Sequence, residues 1–234
     1  MRRSVTVLLG LALAGTALPA VAATRSFPVP AFAKLRIEGP YTVRVRTGTK
    51  ASVNARGPAA RLDKLIVEPR GDVLVVSTEK SWNWGGMSWS GKDSVQVDIT
   101  VPMLSAATLT GSGDLSIDRI RTTAFSALIT GSGDMAIGRI DSSRLNASIT
   151  GSGDLTISGR TGRAETSVRG SGNLRGQGLS VDLLAASVAG SGDIAIGPTR
   201  VARANVVGSG DISIAGRPKC TTSKVGSGDI RCGG

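Results

Sequence analysis

Apolar and polar residues alternate with period two through the C-terminal half of the chain. Around residue 113, Leu109, Leu115 and Ile117 fall in one phase, whereas Thr110 and Ser116 fall in the other. The same order recurs in the following stretches of sequence. Period two over nine or more residues predicts extended strands with one buried face, and the frequent Gly and Ser exclude helices over most of this region.

A Gly-Ser-Gly motif, followed by Asp or once by Asn, interrupts these strands seven times at intervals of 18 to 20 residues. The copies begin at Gly111, Gly131, Gly151, Gly170, Gly190, Gly208 and Gly226. A fixed period of this size is typical of repeat proteins, in which each unit buries its apolar face against its neighbours. We predict an all-β fold, a right-handed parallel β-helix (β-solenoid) with 18–20-residue coils, the hand following from the usual parallel crossover. The glycines allow the sharp turn of each coil.

The segment 24–104 shows the same alternation with less regularity. Its strand signals are Leu35/Ile37, Val43/Val45, Val73/Val75 and Val95/Val97/Ile99/Val101, separated by Gly39-Pro40, Gly57-Pro58 and Arg70-Gly71-Asp72. We predict that these strands form the first, irregular coils of the stack, and that 105–234 forms the regular coils. A separate small β-domain is the alternative.

The N-terminus has the pattern of a secretory signal. A basic start precedes an apolar run from Val5 to Pro19, followed by small residues up to Ala23. The run is too short for a membrane anchor, so we predict a signal peptide at 1–22 and a single solenoid domain at 23–234. The mature protein would then be periplasmic or at the cell surface and would not span the membrane.

The formal net charge is +11, and the chain contains no His. A positive surface favours anionic partners such as acidic glycans or other envelope components. The basic residues appear scattered along the sequence and lack interleaved aromatics, so no nucleic-acid binding is expected. Two thiols without His do not make a zinc site.

Cys220 and Cys232 are the only cysteines. In an exported chain two cysteines most simply form a disulfide. They flank the last Gly-Ser-Gly motif, so the bond would clamp the terminal coil.

The residue after each motif is the most repetitive polar position of the chain. These residues are Asp114, Asp134, Asp154, Asn173, Asp193, Asp211 and Asp229. We predict an outward ladder whose side chains accept backbone N–H bonds at the turns, since Asn173 shows that the turn does not need charge. Structural calcium is the weaker interpretation, because calcium-binding solenoid repeats have half this period. No cofactor is therefore expected.

All three tryptophans lie within 81–91, where Gly85-Gly86 predicts a hairpin. Trp82, Trp84 and Trp89 would share one face. That face either packs on the solenoid or forms an exposed platform for sugar rings, which makes these residues weak ligand-binding candidates.

Three sequence elements together resemble a known family. They are the segments Leu35 to Val45 and Val95 to Pro102, followed by the reiterated Gly-Ser-Gly-Asp coils. The chain resembles the bacterial head GIN domain family, labelled putative autotransporter adhesin and domain of unknown function, from about Phe27 to Cys232. The resemblance implies a right-handed parallel β-helix in the cell envelope and no established catalytic residues.

Three functions are compatible with this sequence. A non-enzymatic, adhesin-like module that binds glycans or envelope polymers is the main prediction, because a solenoid presents the same groups at a fixed spacing. A structural protein that contacts identical chains is the first alternative. A polysaccharide-active enzyme is the second, and it is disfavoured because a periodic carboxylate ladder should give its members similar surroundings, whereas acid/base catalysis requires different ones.

Overall fold

A computed structural model describes residues 23–79 and 94–233. The strands are β1 (Ala23–Phe27), β2 (Lys34–Glu38), β3 (Thr42–Thr47), β4 (Ser52–Gly57), β5 (Leu65–Arg70), β6 (Val73–Thr78), β7 (Gln96–Val101), β8 (Ala106–Gly111), β9 (Asp114–Gly131), β10 (Asp134–Gly151), β11 (Leu155–Gly170), β12 (Leu174–Gly190), β13 (Ile194–Ile196), β14 (Thr199–Gly208), β15 (Ile212–Ile214), β16 (Lys219–Val225) and β17 (Ile230–Cys232). A short helix, α1 (Ala59–Leu62), follows β4. Within the described part of the chain, no helix is long and apolar enough to cross a membrane.

Consecutive coils stack in parallel and in register. Ile117 pairs with Ile137, which pairs with Ile157 one coil further along. The same parallel pairing continues through β12 and β14 to β16. The predicted parallel β-solenoid is therefore confirmed.

Each regular coil has three sides, which the coil starting at Asp134 illustrates. The first side is 134–137, the connecting side is 138–144, and the third side is 145–150. The Gly-Ser-Gly corner at 151–153 leads into the next coil. Alternation of buried and exposed residues holds along the first and third sides and breaks at both ends of the connecting side, because the chain bends there.

The interior is filled by columns of aliphatic side chains. One column has every member at most 1% exposed: Leu115, Met135, Leu155, Leu174, Ile194 and Ile212. Burial of one such side chain contributes about 1.5–3 kcal/mol. Equivalent columns on the other sides make one continuous core.

The two glycines of each corner have different roles. The first has a positive φ of 107° to 132°, a conformation that other residues rarely adopt. At the second, an added Cβ would lie 2.0–2.5 Å from a backbone oxygen of the neighbouring coil. The second position therefore requires glycine for close stacking. The first requires it for its backbone conformation and, from Gly131 onwards, also for stacking, because an added Cβ would lie 2.2–2.4 Å from a backbone oxygen.

The N-terminal strands join the same sheet, but their order in space differs from their order in sequence. β2 lies between β6 and β8, and β3 lies between β7 and β9, all in parallel pairing. From β2 and β3 in the second coil, the chain thus goes on to form the outermost coil from β6 and β7 and then returns at β8. Periodicity alone carries no information on this order.

Antiparallel strands cover the outer end of the stack. β4 pairs with β7, β1 pairs with β4, and β5 pairs with β6. The helix α1 connects β4 to β5 and places Leu62 in the core. This arrangement covers the outermost parallel strands, which would otherwise present free edges.

The buried phase of β6 differs from the sequence signal Val73/Val75. Leu74 and Val76 belong to the core and pair with Leu35 and Ile37. Four consecutive apolar residues leave the phase undefined in the sequence, and pairing with β2 decides it.

The predicted disulfide between Cys220 and Cys232 is confirmed. Cys220 pairs with Ala202 and Cys232 pairs with Ile214, so both lie over interior columns of the preceding coil. The bond links the third side of the last described coil to the following first side.

Candidate functional site

The residues of the aspartate ladder are connected to one another from coil to coil. From Asp134 onwards, Oδ1 of each ladder side chain accepts the backbone N–H of the ladder residue one coil later. The acceptor–donor pairs are Asp134–Asp154 at 3.0 Å, Asp154–Asn173 at 2.9 Å, Asn173–Asp193 at 3.2 Å, Asp193–Asp211 at 2.8 Å and Asp211–Asp229 at 2.7 Å. The ladder side chains thus bond to the neighbouring coil and help to fix its register.

Asn173 takes part in the ladder both as donor and as acceptor. Its Nδ2 donates to Asp154 Oδ1 at 2.9 Å, while its Oδ1 accepts from the backbone of Asp193. An amide can accept the N–H bond as a carboxylate does, and it lowers the charge density in the middle of the ladder.

A shallow trough of about 510 Å³ runs beside the first half of the ladder. Its wall contains Asp114, Asp134 and Asp154, and Arg44 and Arg175 are also among its lining residues. The lining also includes small side chains two residues after each ladder position: Ser116, Ala136 and Thr156. The trough is therefore acidic along its length, with a guanidinium group on a coil at each end of it.

The ladder carboxylates do not share one environment, contrary to the expectation from periodicity. Burial and the nearby charge of Asp134 raise the pKa of Asp114, although a backbone hydrogen bond from Asp134 acts in the opposite direction. Burial alone would raise the pKa of Asp154, but hydrogen bonds from Arg175 and Asn173 outweigh it and lower this pKa. Arg175 Nη1 lies only 2.7 Å from Asp154 Oδ2, and this contact is the main cause that lowers the pKa of Asp154.

We expect Asp154→Asn to reduce stability at neutral pH and to lose this effect in acid. The folded-state pKa of Asp154 lies below the ordinary value of 3.8, so its ionised form stabilises the fold above that value. This contribution disappears as the pH falls through the lowered pKa. For a partly exposed ion pair the loss corresponds to about 1–3 °C in melting temperature at pH 7.

Thermal melts of both proteins from neutral to strongly acidic pH test this expectation, with Asp193→Asn as the matched ladder control. Asp193 has no ion pair in the described residues. A pH-independent difference between wild type and Asp154→Asn would contradict the assignment.

No cluster of three Asp, Glu or Cys side chains in the described ranges is arranged to hold a metal ion. Along the ladder, one carboxylate oxygen of each bonded residue already accepts a backbone N–H group. In the described structure, the ladder side chains connect neighbouring coils through hydrogen bonds.

Trp82, Trp84 and Trp89 lie outside the described residues, and so does the predicted hairpin at 81–91. The segment that contains them starts after β6 and ends before β7, the two strands of the outermost parallel coil. It therefore occupies the sequence position at which the regular coils have their Gly-Ser-Gly corner.

Within the regular coils, most of the basic residues lie on one side of the solenoid. The connecting sides of the six coils, at 118–124, 138–144, 158–163, 178–183, 197–201 and 215–219, carry nine Arg or Lys residues and three Asp. We call this surface the basic side. Spacings of 20 residues from Arg119 to Arg139 and 19 from Arg144 to Arg163 were the available signal in the sequence.

Comparison with known families gives one match. The family described as "Putative auto-transporter adhesin, head GIN domain" matches residues 31–218, which is most of the chain. Among curated proteins, none matches this sequence.

Several crystal structures have the same fold. A putative adhesin from Bacteroides fragilis is 26% identical with a TM-score of 0.81, over 90% of this chain and 96% of that chain. A putative lipid binding protein from Parabacteroides distasonis is 22% identical with a TM-score of 0.71, over 91% and 97%. A putative adhesin from Parabacteroides merdae is 16% identical with a TM-score of 0.69, over 91% and 96%.

Proposed function

The chain belongs to the head GIN domain family of putative auto-transporter adhesins, and from that premise we propose that it is an adhesin-like module that binds glycans or other polymers of the cell envelope. Its surface consists of exposed columns of equivalent residues on successive coils. A polymer with a regular repeat can contact several coils at once, so weak individual contacts add up.

The observation that carries this proposal is the parallel register of the coils. Residues such as Ser116 and Ala136, or Ser148 and Ser167, pair directly with each other on neighbouring coils. Paired residues of adjacent parallel strands lie about 4.8 Å apart. A rigid array of this kind suits a repetitive ligand better than a single small molecule.

The disulfide supports an extracellular or envelope location, since such bonds persist in oxidising compartments. The signal peptide predicted at 1–22 lies outside the described residues. Periplasmic or cell-surface localisation is therefore part of the proposal.

Self-assembly is a second candidate function because of the last described coil. Val207 is 47% exposed and Val225 is 65% exposed, and the two pair with each other on neighbouring strands. In the described chain, β16 pairs with β14 and leaves its other edge without a neighbouring strand. An edge of this kind can recruit a strand from another copy.

A polysaccharide-active enzyme stays the least supported alternative. The trough beside the ladder does hold carboxylates with pKa values shifted in opposite directions, at Asp114 and Asp154. Asp154 is already bonded to Arg175 and to the backbone of Asn173, however, which leaves it poorly placed to exchange a proton.

Binding to an array of bacterial envelope polymers and neutral and acidic glycans tests the proposed function. We expect selective retention of polymers over their monosaccharides, because affinity depends on contacts with several coils. A Trp82→Ala/Trp84→Ala/Trp89→Ala variant shows whether the aromatic segment contributes. No retention of any polymer, together with a concentration-dependent mass above the monomer in size exclusion with light scattering, would favour self-assembly.

A further inference from the structure

The basic side concentrates positive charge on one flank of the solenoid. Its cations are Arg119, Arg121, Arg139, Arg144, Arg160, Arg163, Arg200, Arg217 and Lys219. Its three acidic residues are Asp118, Asp141 and Asp182. The aspartate ladder lies next to the Gly-Ser-Gly corner, which the connecting side does not touch. The charges are thus separated around the coil, and nine cations against three Asp leave the basic side with a net positive charge.

Part of this positive charge is neutralised within the protein. Asp141 lies between Arg121 and Arg160 in the register of three successive coils. Its carboxylate accepts two hydrogen bonds from Arg160, at 3.2 and 3.3 Å, and the pKa of Asp141 is lowered mainly by these bonds. In the column through Asp141, the carboxylate therefore offsets the charge of one of the two arginines.

Unlike the column through Asp141, the column through Arg144 and Arg163 has no carboxylate in the described coils that pairs with its arginines. The two arginines pair directly on adjacent coils, about 4.8 Å apart at their backbones. Neither guanidinium group forms an ion pair or a side-chain hydrogen bond with the described residues. Like charges directly opposite each other destabilise a sheet, and an anion between them would relieve this repulsion.

These two arginines line a groove that follows the solenoid axis. Two adjoining depressions of about 390 and 550 Å³ share Arg163 and Glu165. The first depression is lined by Arg144 and by the buried side chains of Phe125 and Leu145. The second continues across three further coils and includes these lining residues: Leu183, Leu184, Val201, Ala202, Arg203 and Thr221.

We propose that this groove binds a linear acidic polysaccharide, with Arg144 and Arg163 receiving carboxylates of the polymer and Arg203 a further one along the axis. Guanidinium groups bind carboxylates through paired, charge-assisted hydrogen bonds. The partly exposed side chains of Leu183 and Val201 in the second depression pack against the C–H faces of sugar rings. The inference rests on the proposed glycan-binding function and specifies the surface and the charge of the ligand.

The shape of the groove favours a polysaccharide over the other anionic partners. A lipid bilayer is flat and requires several protruding apolar side chains. In the groove, Phe125 and Leu145 are each only 2% exposed, and Val201 alone reaches 37%. Single-stranded nucleic acid requires exposed aromatic side chains for stacking, and the groove lining contains none.

Polygalacturonate provides a direct probe, and its methyl-esterified form is the uncharged counterpart with the same backbone. We expect the purified protein to bind polygalacturonate, and Arg144→Gln/Arg163→Gln to weaken the affinity at least about tenfold. Raising the salt from about 50 mM to about 200 mM should weaken wild-type binding more than binding of the double variant.

Arg56→Gln/Arg169→Gln serves as the matched control. It removes the same net charge from β4 and from the corner end of the third side, away from the groove. We expect a change in affinity below about twofold, and unchanged melting temperatures in both double variants would show that they fold.

Three results would overturn the inference. An equal loss of affinity in both double variants would mean that net charge alone attracts the polymer. Equal binding of the esterified and free polymers would retain the proposed glycan binding but exclude carboxylate recognition. Absence of polygalacturonate binding, with arginine-dependent binding to phosphatidylglycerol vesicles, would assign the groove to an anionic membrane instead.

Discussion

Replacement of Gly153 by alanine is expected to lower the free energy of unfolding by about 3 kcal/mol or more. The added Cβ would lie 2.2 Å from the backbone oxygen of Gly133 and 3.0 Å from Cγ2 of Ile129. A backbone oxygen held in a parallel stack cannot move away as a flexible side chain would. The coils on both sides must therefore separate or tilt, which also disturbs the aliphatic columns beneath the corner.

Chemical denaturation of Gly153→Ala measures this effect, and Ser152→Ala is the control in the same corner. Ser152 is exposed, so its replacement should change stability by less than about 0.5 kcal/mol. Similar denaturation midpoints for the two variants would show that the corner tolerates a side chain at the second glycine. The close stacking inferred for all seven corners would then be incorrect.

Removal of the disulfide through Cys220→Ser/Cys232→Ser is expected to destabilise the folded terminal coil by about 3 kcal/mol. The reason is that the bond closes a short loop between residues 12 apart in sequence. The loss should be local, because each coil contacts only its neighbours. In the last described coil, Thr222 and Lys224 replace the apolar residues of the interior columns and are exposed. Little apolar burial therefore holds β16 in place once the covalent link is absent.

Hydrogen exchange distinguishes this local effect from global destabilisation. Amides of β16 should lose protection in the double-serine variant, while those of β10 and β11 should keep it. Reduction of the wild-type protein should reproduce the change and should leave the variant unaffected. Undiminished protection of β16 in both experiments would mean that backbone pairing with β14 suffices.

The regular coils follow directly from the sequence. The period-two alternation defines which side chains enter the core, as Leu115 and Ile117 do, and the 18–20-residue spacing sets the parallel register. The alternation and the spacing are satisfied together by only one strand register. A slip of a strand by one residue would turn every apolar side chain outwards. The disulfide could be predicted because the chain has only two cysteines, and the register places both of them at one end of the stack.

The order of the N-terminal strands could not be predicted in this way. β2 and β3 have alternating apolar residues as β7 does, and β6 is apolar over four consecutive residues, so either pair could form the outermost coil. The antiparallel strands β4 and β5 decide the order, because they pair with β7 and β6. Such pairing depends on which edge is free after folding, and no single segment of sequence contains that information.

The candidate site, too, could be predicted from the sequence only in part. The sequence by itself determined the fold and the aspartate ladder, because both depend on spacing that a helical stack reproduces at every turn. The tertiary structure alone decided that Asp154 is paired with Arg175 while Asp114 is not, and that Arg144 and Arg163 lie together over an apolar groove. Charge and burial at a surface depend on neighbours from other coils, and those neighbours are brought together only when the chain winds.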